Sequence, residues 1–175
     1  MAAPIEIDVW QGEIAELEVD ALVVPANESF FMTTGAAASV KRHGGEGIER
    51  AAVDQGPVEP GRAVATDAGT LAAAYVIHAV GVGHDRIADR ERLASAIRAA
   101  LDFAEPLQAR RIAFSLIGTE HGAFLPADAA EILVAELMTS SATRSLPESV
   151  VVATANAAET HAAGEALARR RARVT

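Results

Sequence analysis

The chain contains no cysteine and one lysine. The first absence excludes a disulfide framework, a thiol nucleophile and a thiolate metal site. The second leaves Lys41 beside fourteen arginines, an arginine- and alanine-rich usage expected of a GC-rich bacterial genome. No apolar run approaches the ~20 residues that cross a bilayer. The opening Met1-Ala2-Ala3-Pro4-Ile5-Glu6 lacks the basic and apolar regions of a secretion signal, so a cytoplasmic location is expected. A basic excess is also missing: the net charge is −9, which disfavours nucleic acid as a partner because that contact needs phosphate neutralisation. There is no G-x-x-x-x-G-K-[ST] or G-x-G-x-x-G loop, and His43, His84, His121 and His161 do not have metal-binding spacing. No metal and no cofactor is expected.

Half of the 175 residues are hydrophobic, enough for one domain over 1–175 with a sizeable core. No repeat or linker interrupts it, and apolar runs alternate with helical periodicity. Strands are expected at Ile5–Trp10, Ala21–Val24, Arg62–Thr66, Tyr75–Val80, Ile112–Ile117 and Val150–Ala153. Helices are expected at Gly35–His43, Gly45–Gln55, Ala88–Ala104, Pro126–Ser140 and Ala157–Arg171. About six strands with helices between them predict a three-layer α/β/α domain. Ligands of such sheets sit beyond the carboxyl ends of the strands, which draws attention to the loops after Trp10, Val24, Ile117 and Ala153.

Those loops carry chemistry. Gln11-Gly12-Glu13-Ile14 offers a carboxylate that can accept from an exocyclic amine of a nucleobase; equally, Gly12 makes a turn and Glu13 serves a helix start. Val23-Val24-Pro25-Ala26-Asn27 ends a strand on a carboxamide, which donates and accepts as vicinal ribose hydroxyls require; the same side chain can instead bridge its own loop. Thr33-Thr34-Gly35-Ala36-Ala37-Ala38-Ser39 starts a helix with small residues, so free N–H groups can meet a pyrophosphate, or Thr34 simply caps the helix. Gly118-Thr119-Glu120-His121-Gly122 offers a second set of backbone donors, and Phe124 either covers a sugar ring or plugs the core. His78 reads as a core histidine that satisfies backbone groups, and His121 as the histidine nearest the cleft. Asp85, Asp89 and Glu91 read as a solvated helix start. Arg169, Arg170, Arg171 and Arg173 read as charges at a helix C-terminus facing water.

In order along the chain stand Gly12-Glu13-Ile14, Val24-Pro25-Ala26-Asn27, Gly35-Ala36-Ala37, Gly61-Arg62-Ala63, Thr66-Asp67-Ala68-Gly69-Thr70-Leu71, Val76-Ile77-His78 and Ala113-Phe114-Ser115-Leu116-Ile117-Gly118-Thr119. This series resembles the macro domain family, which binds ADP-ribose, and the resemblance covers nearly the whole chain. It implies the macro-domain fold, an α/β/α sandwich around a mixed, mostly parallel sheet. It implies ADP-ribose, free or attached to protein, as the partner; the lack of a spanning run speaks against a membrane and the acidic net charge against nucleic acid.

It also implies that Glu13 and Ile14 meet adenine and that Asn27 binds the distal ribose. Gly35, Ala36 and Ala37 would line the pyrophosphate and distal ribose. Gly118, Thr119, Glu120, His121 and Gly122 would form the opposite phosphate loop, with Phe124 against the distal sugar and Asn156 beside adenine. Against the family pattern, Glu13 replaces Asp, Thr33 and Thr34 replace two glycines, Glu120 replaces a glycine and Pro25 replaces Asn. The family's catalytic Asp falls at Ala37 and its catalytic Lys at Thr34. A hydrolase reaction would then rest on a water positioned by substrate phosphate, with Asn27, Thr33 and Thr34 as the side chains available. Three functions follow: a reader of ADP-ribose, a hydrolase of ADP-ribosyl or acetyl-ADP-ribose esters, or a macro fold turned to another nucleotide or to a protein partner.

Overall fold

A computed structural model describes residues 3–174. Its strands are β1 (Glu6–Gln11), β2 (Ala21–Pro25), β3 (Ala63–Asp67), β4 (Tyr75–Ala79), β5 (Arg111–Ser115) and β6 (Ser149–Thr154). Its helices are α1 (Gly35–Gly44), α2 (Gly47–Val53), α3 (Arg90–Leu101), α4 (Pro126–Ser140) and α5 (Ala157–Ala172). The strands form one sheet in the order β1-β6-β5-β2-β4-β3. Every pairing is parallel except that of β3 with β4.

The strand sequences explain the layering. Central strands such as Leu22-Val23-Val24 and Val150-Val151-Val152 are apolar throughout because both faces of the sheet are covered. Val23, Ile77, Ile112, Phe114, Val150 and Val152 point to one side, where they pack with Leu93, Ile97, Leu133 and Ala163 of α3, α4 and α5. Leu22, Val24, Val76, Ala113, Val151 and Ala153 point to the other and meet Ile14, Ala37, Val40 and Ile48. The result is the expected α/β/α sandwich. Edge strand β1 keeps Glu6 and Asp8 exposed, charges that discourage pairing with another chain.

Boundaries move where local hydrogen bonds decide them. The helix expected from Ala88 starts at Arg90, because the Asp89 carboxylate accepts from the N–H groups of Glu91 and Arg92. The helix expected to reach Gln55 stops at Val53, where Gln55 and Gly56 N–H turn back to the carbonyls of Ala52 and Val53. β5 ends at Ser115 rather than Ile117.

Two core readings change. His78 is buried as expected, but its Nε2 pairs with the Thr66 hydroxyl at 3.0 Å across the β3–β4 pair, rather than with backbone. The arginines of α5 are not simply solvated: Arg170 bonds Glu131 at 2.7 Å, and Arg171 donates to the Ile7 carbonyl at 3.0 Å. These contacts tie α5 to α4 and β1.

The parallel strands all end on one side, so the segments after Gln11, Pro25, Ala79, Ser115 and Thr154 gather at one rim. The 26–34 segment there is held firmly. Phe30 is fully buried with φ 63° and sets its ring edge-on to His78, centroids 6.1 Å apart. The Glu49 carboxylate of α2 accepts from Met32 N–H at 2.6 Å and from Lys41 Nζ at 2.8 Å. The only lysine is therefore a structural partner of Glu49.

Candidate functional site

The rim encloses a cleft of about 760 Å³. Its floor is the carboxyl edge of the sheet. One wall is the start of α1, the facing wall is the loop after β5, and the ends are closed by the loops after β1 and β4. Of the residues expected at a site, Glu13, Ile14, Asn27, Thr33, Thr34, Gly35, Ala36, Ala37, Thr119, Glu120 and His121 line it together.

The start of α1 is an open donor surface. Thr34 is its N-cap but bonds no backbone N–H with its hydroxyl, and no acid stands in the first turn. The leading N–H groups of any helix lack intrahelical acceptors and carry the positive end of its dipole. By contrast, Asp89 caps α3 and Asn156 caps α5. Gly35 enters α1 with φ 58°, a left-handed conformation that glycine adopts without strain.

Asn27 serves two ends. Its Oδ1 accepts from Ser29 N–H at 3.0 Å and its Nδ2 donates to the Phe31 carbonyl at 3.1 Å. A carboxamide has two donor hydrogens and two acceptor sites, so half of its capacity remains for a ligand hydroxyl. Glu13 stands at the other end. Its Oε2 accepts from Ser39 Oγ at 2.8 Å, and its Oε1 lies 3.6 Å from Arg42, which orients the carboxylate. Gly12 precedes it because the indole of Trp10 occupies the space a side chain would need: an added Cβ would lie 2.3 Å from the ring. Ile14 lines the cleft while its side chain belongs to the core beneath α1.

The facing loop differs from a row of free donors. Gly118 N–H donates to both carboxylate oxygens of Glu120, at 3.1 and 3.0 Å. Burial pushes the Glu120 carboxyl above its usual range, against the lowering effect of that backbone bond. Gly118, Gly122, Phe124 and Asn156 do not line the cleft. The Gly118 donor is turned to Glu120; Phe124 packs against the core on the α3–α4 side; and the Asn156 Oδ1 caps α5 by accepting from Glu159 N–H.

Several wall residues were not singled out from the sequence. Arg42, Phe31, Ser39, Ser115, His84, Arg86 and Glu159 all line the cleft. Ser115 is 6% exposed and its hydroxyl has no protein partner among the described residues, a donor left for whatever occupies the floor. Its position was readable: Ala113 faces α1, so by strand alternation Ser115 does too. Phe31, 56% exposed, offers a flat apolar face at the rim. His84 bonds Ser29 at 3.2 Å. Arg86 makes no side-chain ion pair among the described residues, whereas nearby Asp85 is held by Arg92 at 2.8 Å. Among the described residues no cluster of His, Asp and Glu could hold a metal, and no helix is long and apolar enough to cross a membrane.

A cleft with helix-start donors on one wall and a polar side chain at each end suits an elongated anionic ligand. The family comparison agrees with the fold. The macro domain model matches residues 23–133, and the chain belongs to the macro domain family. It is 40% identical over 136 residues to a macro domain-containing protein of Cupriavidus necator, covering 74% of this chain and 78% of that one. A protein of Aquifex aeolicus is 37% identical over 134 residues, covering 76% and 81%. A Mycobacterium tuberculosis relative is 35% identical over 130 residues, which is 74% of this chain and 36% of that protein; the chain thus spans about a third of the length of its mycobacterial relatives. Among solved structures, a macrodomain of Oceanobacillus iheyensis with ADP superposes with a TM-score of 0.86 at 19% identity, covering 94% of this chain and 91% of that one. A Trypanosoma brucei macrodomain in complex with ADP-ribose gives 0.84 at 22%, covering 91% and 68%. At these identities the superpositions speak for the fold.

Proposed function

We propose that residues 1–175 act as one macro domain unit that binds ADP-ribose, free, attached to protein or as its acetyl ester. The observation that carries this reading is the uncapped, acid-free start of α1 at Gly35-Ala36-Ala37, opening on a cleft with Glu13 at one end and Asn27 at the other. In this reading the diphosphate lies against the α1 N–H groups, with the Ser115 hydroxyl beneath it. The adenine amino group donates to Glu13, and the distal ribose uses the remaining donor and acceptor of Asn27. The acquisition of ADP and ADP-ribose by the Oceanobacillus and Trypanosoma macrodomains supports the choice of ligand.

Hydrolysis of an ADP-ribosyl ester is the finer part of the proposal. Ala37 and Thr34 provide no general base, and Lys41 is committed to Glu49. Thr33 and Thr34, exposed on the cleft wall, are the hydroxyls that could orient a water which the substrate phosphate activates. Turnover by this route is slow, because it lacks a side-chain base and the ~10²–10⁴-fold that proton transfer contributes. The cysteine-free composition suits work in the cytoplasm.

The test is amide chemical-shift mapping during titration with ADP-ribose. The reading expects the largest shifts at Gly35, Ala36, Ala37, Glu13 and Asn27. Shifts confined to other surfaces, or none at millimolar ligand, would refute it.

A further inference from the structure

We propose that Glu120 is a built-in competitor for the diphosphate: its carboxylate occupies the Gly118 N–H of the β5–α4 loop, and a diphosphate ligand must displace it to use that donor. The inference rests on the ADP-ribose reading above and adds a residue that sets affinity and ligand preference at that site.

The geometry is that of a bound anion. Both oxygens of Glu120 lie within hydrogen-bond distance of Gly118 N–H. A carboxylate and a phosphate oxygen make the same demand on an N–H group. The loop is closely packed around Gly118. Gly118 is held at φ 110°, an added Cβ there would lie 2.7 Å from Leu93, and its carbonyl accepts from Phe124 N–H at 2.9 Å.

The surroundings explain why it can leave. Its occupancy is a compromise between backbone bonds and lost hydration, since burial disfavours the charge and Glu159 at the start of α5 adds repulsion. Glu159 itself accepts from Ala155 N–H at 2.8 Å, so two loops on the same side of the cleft have internal carboxylates on their donors. His121, exposed and next in sequence, faces the same opening, and Arg42 and Arg86 stand on the opposite and end walls. An arriving diphosphate brings two negative charges to a loop already occupied by one, so the carboxylate swings to solvent rather than sharing the site. A ligand without a diphosphate makes no such demand. The cleft therefore discriminates less strongly in favour of phosphorylated ligands than its open α1 wall alone would dictate.

The experiment compares ADP-ribose with adenosine, which has no phosphate, on the wild-type chain, Glu120→Gln and Glu120→Ala. Amide chemical shifts follow the titrations so that millimolar affinities stay readable, and thermal unfolding confirms that each variant is folded. ADP-ribose is expected to bind Glu120→Ala about tenfold more tightly than wild type, equivalent to about 1.4 kcal/mol. Glu120→Gln, which keeps the shape and loses the charge, is expected to fall between them, and adenosine to bind all three alike. Unchanged or weaker ADP-ribose binding in both variants, with the wild type still binding, overturns the competitor role alone. Equal tightening of adenosine also overturns it, since that marks a general change in the cleft. Failure of the wild type to bind either compound overturns the ADP-ribose reading and this inference with it.

Discussion

Removing the Glu49 carboxylate should unfasten the segment that carries Asn27 to the cleft. In the native fold that carboxylate accepts from Met32 N–H at 2.6 Å and from Lys41 Nζ at 2.8 Å, with its side chain 18% exposed. The lysine holds the Glu49 carboxyl below its ordinary range, aided by the Met32 bond and opposed by burial. A hydrogen bond to a charged group contributes about 1.5–3 kcal/mol. The lysine keeps partial access to water, so its share is about 0.5–1 kcal/mol. Glu49→Ala is therefore expected to cost about 2–4 kcal/mol.

For a chain of this size each kcal/mol shifts the melting temperature by about 2–4 °C. The assay is thermal unfolding followed by circular dichroism across pH. A carboxyl whose pKa is lowered on folding stabilises the native state above the unfolded value and loses that contribution as pH falls through the folded one. The gap between wild type and Glu49→Ala should be full above pH 4.5 and close below it. A gap under about 0.5 kcal/mol at neutral pH, or one that persists in strong acid, would refute the reasoning. ADP-ribose binding should weaken along with stability, because Met32 lies in the segment between Asn27 and α1.

Three other outcomes are expected. Burial lowers the pKa of His78 from 6.5 to about 4, so folding stability is complete above pH 6.5 and declines by up to about 3 kcal/mol as pH falls toward 4; the decline should flatten in His78→Gln, and an equally steep profile there would assign it to other groups. Gly69 sits at φ 58° with the Gly44 carbonyl 2.0 Å from where a Cβ would stand, so Gly69→Ala should cost well over about 1 kcal/mol in thermal unfolding, and an unchanged melting temperature would show that the turn relaxes freely. Glu13→Ala should weaken ADP-ribose and adenosine about tenfold in calorimetric titration while sparing ribose 5-phosphate; equal losses on all three would make Glu13 a structural residue.

Much of the fold was legible because burial writes itself into runs such as Leu22-Val23-Val24 and Val150-Val151-Val152, which a sheet covered on both faces requires. Pro126–Ser140 appears as a helix with the very bounds the sequence pattern indicates. The cleft was legible where a polar residue follows a strand end, as at Glu13 and Asn27, or a glycine opens a helix, as at Gly35. It was illegible where side chains turn back on their own loops. The sequence places Glu120 in the phosphate loop, but nothing in it shows the carboxylate turning back onto Gly118 N–H. His84 and Arg86 resemble any polar approach to a helix; only the pairing of Val24 with His78 brings the loop after β4 beside the loop after β2. Asn156 was readable as a cap, since Glu159 follows three positions later as in a capping box.

The decisive measurement is a calorimetric titration of the chain with ADP-ribose, run beside Asn27→Ala. Saturable one-to-one binding near micromolar affinity, weakened at least tenfold in the variant while its fold is retained, is the expected result. Heat indistinguishable from dilution at millimolar ADP-ribose would contradict an ADP-ribose-binding cleft.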